Sequence, residues 1–206
     1  MIYIVPFNFC NLQSIYAYMH KSNHDYLPFT SDVSLQDEDV IIIPGVGTFA
    51  EGMKFLQQQE FTKKIVNHFL RGNKIIGICL GMQLFFQHSE ESPNIEGLSI
   101  IEGSVTKLKK DSISRIPHLG WNEMSLNTSS GDQIFDDLVK AKDFYFVHSY
   151  ECCPSNKNLI IASVLAENHH EITAIVKSRM TFGLQFHPEK SGPAGFKLLH
   201  SIINNS

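Results

Sequence analysis

Two short, continuously apolar runs, each ended by glycines, constrain this chain more than any other feature. Val40-Ile41-Ile42-Ile43 stops at Pro44-Gly45-Val46-Gly47, and Lys74-Ile75-Ile76 leads into Gly77-Ile78-Cys79-Leu80-Gly81-Met82-Gln83. A run that does not alternate predicts a strand covered on both faces, the mark of a parallel sheet with helices on either side. Open α/β sheets bind their ligands outside the carboxyl ends of such strands, and both glycine turns fall there. The second turn carries a cysteine. A strand that ends in a tight turn and opens a helix lifts the turn residue's side chain to the sheet edge, where a helix N-terminus favours a thiolate.

The rest of the chain fits that frame. Residues 2–5 read as a first strand and 11–22 as the helix after it, with Leu12, Ile15, Tyr16 and Met19 at helical spacing. A helix is expected around 51–71, stopped by Gly72-Asn73, and another after Cys79 bearing Leu80, Leu84 and Phe85. Turn chemistry fills 90–97. Beyond it strands are expected at 99–107, 143–149, 159–165, 172–177 and 180–186, with a loop at 127–133 and a closing helix at 193–204. With 206 residues there is room for one α/β domain and little for two, so residues 1–206 are taken as a single domain. The expected fold is a central, mostly parallel mixed sheet flanked by helices.

Composition removes several classes. A net charge of −4 argues against a nucleic-acid partner held by counterion release, and the densest basic patch, Lys107-Leu108-Lys109-Lys110, reads as a solvated turn. The cysteines Cys10, Cys79, Cys152 and Cys153 lack CxxC spacing, which points to neither zinc nor a dithiol redox motif and suits a reducing cytoplasm. No positive charge precedes the apolar opening Met1-Ile2-Tyr3-Ile4-Val5, so no signal peptide is expected, and no apolar run reaches the ~18–20 residues that span a bilayer.

Far downstream, Gln185-Phe186-His187-Pro188-Glu189 offers a base and, two residues on, a carboxylate to orient it. Cys79, His187 and Glu189 together suggest acyl transfer through a thioester. Attack on a carboxamide forms an oxyanion that needs backbone donors about 3 Å away. Candidates are the N–H of Leu80 and an N–H of the Val46-Gly47 turn. Taken singly, a cysteine in an apolar segment is a small buried hydrophobe; it is the ordered set of oxyanion turn, nucleophile and base that carries the reading.

These residues, with Pro117-His118-Leu119-Gly120-Trp121-Asn122 and Tyr145-Phe146-Val147-His148-Ser149-Tyr150, resemble the class I (triad) glutamine amidotransferases over essentially the whole chain. The set is most similar to the glutaminase subunits of imidazole glycerol phosphate synthases. That resemblance implies hydrolysis of glutamine to glutamate without metal or organic cofactor. It also implies delivery of the ammonia to a cyclase (synthase) subunit that makes imidazole glycerol phosphate and AICAR in histidine biosynthesis, in a cytoplasmic heterodimer. It assigns Cys79 as nucleophile, His187 as base and Glu189 as its orienter. Substrate contacts fall to Gln83, Glu91, His148, Ser149 and Tyr150, and the partner face to Asn11, Trp121 and Tyr145.

The chain departs from the family after its first strand. Many relatives have Asp-Tyr-Gly-x-Gly-Asn where Pro6-Phe7-Asn8-Phe9-Cys10-Asn11 stands here. An alternative is therefore a paralogous ammonia supplier for a nucleotide-sugar or nonulosonic-acid amidotransferase in surface glycan synthesis. A non-catalytic scaffold subunit, or a stand-alone cysteine hydrolase acting on another amide, would carry the same fold.

Overall fold

The computed structural model describes residues 1–109, 113, 115–127, 135, 142–166 and 169–205. Strands β1 (Ile2–Ile4), β2 (Tyr26–Pro28), β3 (Val40–Ile43) and β4 (Ile75–Ile78) build one half of the main sheet. The other half comes from β8 (Ser125–Leu126), β11 (Ile160–Leu165), β12 (Glu171–Ser178) and β13 (Thr181–Leu184). The strand order is β2-β1-β3-β4-β13-β12-β11-β8. Pairing is parallel from β2 through β13 and antiparallel from there to β8, which makes the mixed, mostly parallel sheet expected from the sequence.

The non-alternating runs are buried on both faces for a visible reason. Ile42, Ile76 and Ile78 point into one core with helices α1 (Gln13–Lys21) and α5 (Gly192–Asn204), while Ile41, Ile43 and Ile75 point into the other with α2 (Phe49–Gln58) and α3 (Phe61–Leu70). Around this frame lie a three-stranded sheet of β10 (Tyr150–Pro154), β6 (Ile101–Lys107) and β5 (Phe86–Ser89), and a hairpin of β7 (His118–Glu123) on β9 (Asp143–His148).

The structure corrects the expected helices. The single helix over 51–71 is two helices, because Glu60 turns left-handed at φ +58 and breaks the ladder after Gln59. Its start is at Phe49, where Thr48 and Glu51 cap each other reciprocally. The helix after Cys79 is a single turn, α4 (Leu80–Gln83), since the chain turns at Leu84 and Phe85 and enters the second sheet at Phe86. Strands β2, β5, β7, β8 and β10 carry no apolar pattern strong enough to announce them. The expected loop at 127–133 lies, past Asn127, outside the described residues, as does Lys110. No helix among the described residues is long and apolar enough to cross a membrane, and they hold no cluster suited to a metal ion.

Candidate active site

The candidate nucleophile is built by close packing. Cys79 follows β4 with φ +50 and ψ −104, a conformation that L-residues rarely adopt and that costs about 1–3 kcal/mol. Hydrogen bonds on both sides hold it there: its N–H donates to the Leu184 carbonyl at 2.7 Å, and its carbonyl accepts from Gln83 N–H at 3.2 Å. The flanking glycines are steric requirements. A Cβ on Gly81 would lie 1.8 Å from the Ile43 carbonyl oxygen, and one on Gly77 would lie 2.6 Å from the Gly81 backbone. The one-turn helix can thus sit directly against β3 and β4.

His187 reaches Cys79 from the far end of the chain because β13 pairs with β4 in parallel register, Leu184 opposite Ile78. The i, i+2 spacing predicts an extended segment carrying His187 and Glu189 on one face. Instead Pro188–Lys190 form a 3-10 turn, which brings Glu189 Oε1 to 2.9 Å from His187 Nδ1. The backbone is tied down as well. His187 N–H donates to the Tyr145 carbonyl, Tyr145 N–H donates to Ser191 Oγ, and Ser191 Oγ–H donates to the His187 carbonyl. Burial works against the imidazolium, yet the nearby Cys79 sulfur and the hydrogen-bonded Glu189 carboxylate outweigh it and push the His187 pKa up to about 10. A charged imidazole beside the sulfur is the arrangement that holds a thiolate. His187 Nε2 and Glu189 Oε2 are buried without hydrogen-bond partners among the described residues.

The candidate oxyanion donors are not assembled. The Leu80 N–H donates to the Gly45 carbonyl at 3.2 Å and so is not free to meet an oxyanion. Rotating the Gly45–Val46 peptide would free Leu80 and turn a second N–H inward. Gly47 sits at φ +132, with the Phe9 ring 2.9 Å from where its Cβ would be, and Phe7 lies beside Gly45 in the same way at 3.3 Å. The departing segment 6–11 therefore packs on the candidate oxyanion turn itself.

In front of the sulfur lies a cleft of about 310 Å³ whose walls include Val46, Gly47, Leu80, Gln83, Glu91, His148, Ser149 and Tyr150. Gln83 Nε2 donates to the Tyr150 carbonyl at 3.3 Å. Glu91 also supports the neighbouring helix, for its Oε2 accepts the Phe49 N–H at 2.6 Å, at the N-terminus of α2. His148 is buried, its Nδ1 2.8 Å from the Tyr150 carbonyl and its Nε2 3.0 Å from His118 Nδ1. Burial, then the charge of His118, lower its pKa to about 3, so it is neutral near pH 7.

The three residues of the expected partner face are not equivalent. Trp121 is 54% exposed and packs on Tyr145 at 5.8 Å between ring centroids, on the outer side of the β7–β9 hairpin. Tyr145 also lies 6.5 Å from the His187 ring. Asn11 is exposed, and its side-chain oxygen accepts the Gln13 N–H at the start of α1. Residue types and spacing assign no role to His118, Pro117 or Gln185 at the site. All three lie inside the motifs quoted from the sequence, so the signal is present there without an assignment.

The family of glutamine amidotransferase class-I proteins matches residues 10–203. Imidazole glycerol phosphate synthase subunit HisH of Oceanobacillus iheyensis is 35% identical over 97% of this chain and 96% of its own length. The subunit of the same name from Chlorobaculum tepidum is 37% identical over 98% of each chain. Among solved structures, PurLQS from Thermotoga maritima superposes with a TM-score of 0.72 at 18% identity, covering 98% of this chain and 97% of that one, a likeness of fold. Because the matched span takes in the glycine turn, the strained cysteine and the histidine that reaches it, the chain belongs to the class-I glutamine amidotransferases.

Proposed function

We propose that this protein is the glutaminase subunit of an imidazole glycerol phosphate synthase, hydrolysing glutamine and passing ammonia to a cyclase subunit in histidine biosynthesis. The carrying observation is the Cys79, His187 and Glu189 set at the head of a cleft of about 310 Å³, in a chain similar over nearly its whole length to synthase subunits of that name.

These residues support one course of reaction. The Cys79 thiolate attacks the side-chain carboxamide carbon, and the resulting oxyanion is met by backbone N–H groups at Leu80 and the Val46-Gly47 turn. His187, charged and held by Glu189, gives its proton to the leaving nitrogen as the C–N bond breaks. Ammonia leaves, and water, deprotonated by His187, releases glutamate from the thioester. Gln83, Glu91, Ser149 and Tyr150 supply polar groups for the two ends of the amino acid, and His148 braces that wall.

Ammonia released into water near neutral pH becomes ammonium and is lost as a nucleophile, so a covered path to a partner preserves the product. The exposed Trp121 and its neighbour Tyr145, adjoining the triad, are the natural surface for that cover. The engaged Leu80 N–H gives a reason for coupling. A partner that binds the rotated Gly45–Val46 arrangement better shifts the population toward the competent hole.

The test is glutamate release by the purified chain, alone and with the cyclase subunit plus its ribonucleotide acceptor. Acceptor-dependent stimulation is expected, and Cys79→Ala should abolish release while leaving partner binding intact. Turnover surviving in Cys79→Ala would end the mechanism. No stimulation, with Cys79 still labelled by a glutamine-analogue electrophile, would move the partner to a sugar amidotransferase.

A further inference from the structure

The nucleophile has a neighbour that the reaction scheme leaves without a role. Gln185 follows β13 directly, and the parallel register that sets Leu184 opposite Ile78 places Gln185 alongside Cys79. Its side chain is fully buried, and its Nε2 lies 3.8 Å from the Cys79 sulfur. On its other side its Oε1 lies 3.9 Å from the Cys152 sulfur, which is also fully buried, on β10. Its backbone N–H is already engaged by the Ala174 carbonyl, so the carboxamide is the group left to face the sulfur.

The direction of the amide follows from Cys152. Burial, then the nearby Cys153, Cys79 and Glu151, raise the Cys152 pKa well above its ordinary value, so Cys152 stays a thiol and acts as a donor. A donor on that side requires the carbonyl end of the Gln185 amide, which leaves the NH2 end for Cys79. The sulfur also has the Val147 carbonyl at 3.8 Å. As a thiol, Cys79 can donate to Val147; as a thiolate, it can accept from Gln185. We infer that Gln185 is a further catalytic residue, a buried amide donor that stabilises the Cys79 thiolate, and that Cys152 is a positioning residue that keeps the amide facing it.

This rests on Cys79 being the nucleophile, and the test separates the two claims. Alkylation of Cys79 by iodoacetamide is followed against pH, with the modified cysteine identified by peptide mass, in wild type, Gln185→Met, Cys152→Ala and Cys152→Ser, each checked for its melting temperature. Gln185→Met keeps the volume and removes the donor. The pH midpoint for Cys79 alkylation is expected to rise by about one unit, so that the rate below it falls about tenfold. Cys152→Ala, which frees the amide to turn, should move the midpoint the same way by less. Cys152→Ser, whose hydroxyl donates to the same oxygen, should recover what Cys152→Ala lost.

A folded Gln185→Met with the wild-type midpoint overturns the inference. If Gln185→Met fails to fold, a wild-type midpoint in Cys152→Ala overturns it instead. Failure of a glutamine-analogue electrophile to label wild-type Cys79 would reject the glutaminase reading while leaving the thiolate result standing.

Discussion

Cys79 keeps its place at the sheet edge through a backbone conformation that only tight packing can maintain, and that packing depends on glycines with no side chain to intrude. Gly81→Ala would drive a methyl into the Ile43 carbonyl at 1.8 Å, against backbone that has no flexible side chain to yield. A destabilisation of about 3 kcal/mol is expected in urea unfolding, with loss of Cys79 reactivity even where the protein remains folded. His148 makes a second prediction at this scale. Its pKa is about 3 when folded against an ordinary value of 6.5, so the unfolded chain takes up the proton first. The neutral-histidine contribution is therefore complete above pH 6.5 and is lost progressively as pH falls toward 3. Stability measured between about pH 7 and pH 4 should decline, and His148→Gln should flatten that decline; an unchanged slope would place the acid sensitivity elsewhere.

At the scale of elements, helix α2 links two parts of the candidate site. It begins immediately after the Gly45-Val46-Gly47 turn, Thr48 caps it, and Glu91 from the cleft wall accepts its first N–H. Thr48→Ala removes the reciprocal bond with Glu51 and should cost about 1 kcal/mol, read as a shift of the urea midpoint at constant slope. A shift many times larger would mean that Thr48 carries packing beyond the cap. The paired helices α2 and α3 also show what periodicity could not reveal. Their apolar spacing runs on through Gln59 and Glu60, and nothing in the residue types announces that Glu60 adopts φ +58. The break is decided by two helices packing on the same sheet face, a condition imposed from outside the segment.

For the whole molecule, the β7–β9 hairpin sets the outer surface beside His187. Trp121 is the chain's only tryptophan and a core position would have been its ordinary place, yet it lies 54% exposed against Tyr145. Trp121→Ala should change fold stability by no more than about 0.5 kcal/mol while weakening binding to the synthase subunit and the stimulation that follows from it. The check is melting temperature set beside titration with that subunit; a large fall in melting temperature with unaltered binding would reject the interface role.

The sequence by itself determined the parallel core and the place of its chemistry, because a doubly buried strand must be apolar throughout and the turn after it must contain glycine wherever two backbones meet. Val40–Ile43, Lys74–Ile78 and the glycines around Cys79 were legible on those grounds, and the Cys79, His187 and Glu189 candidates with them. Only the tertiary structure decided that β13 lies next to β4, which is what brings His187 and Gln185 to the sulfur, since strand order is set by how helices and sheet close over a shared core and leaves no mark in local spacing. It also decided that the Leu80 N–H is engaged by Gly45, and that Phe7 and Phe9 rest on the turn that would have to rotate. A backbone donor belongs to nearly every residue alike, and its direction is chosen by neighbours distant in the chain.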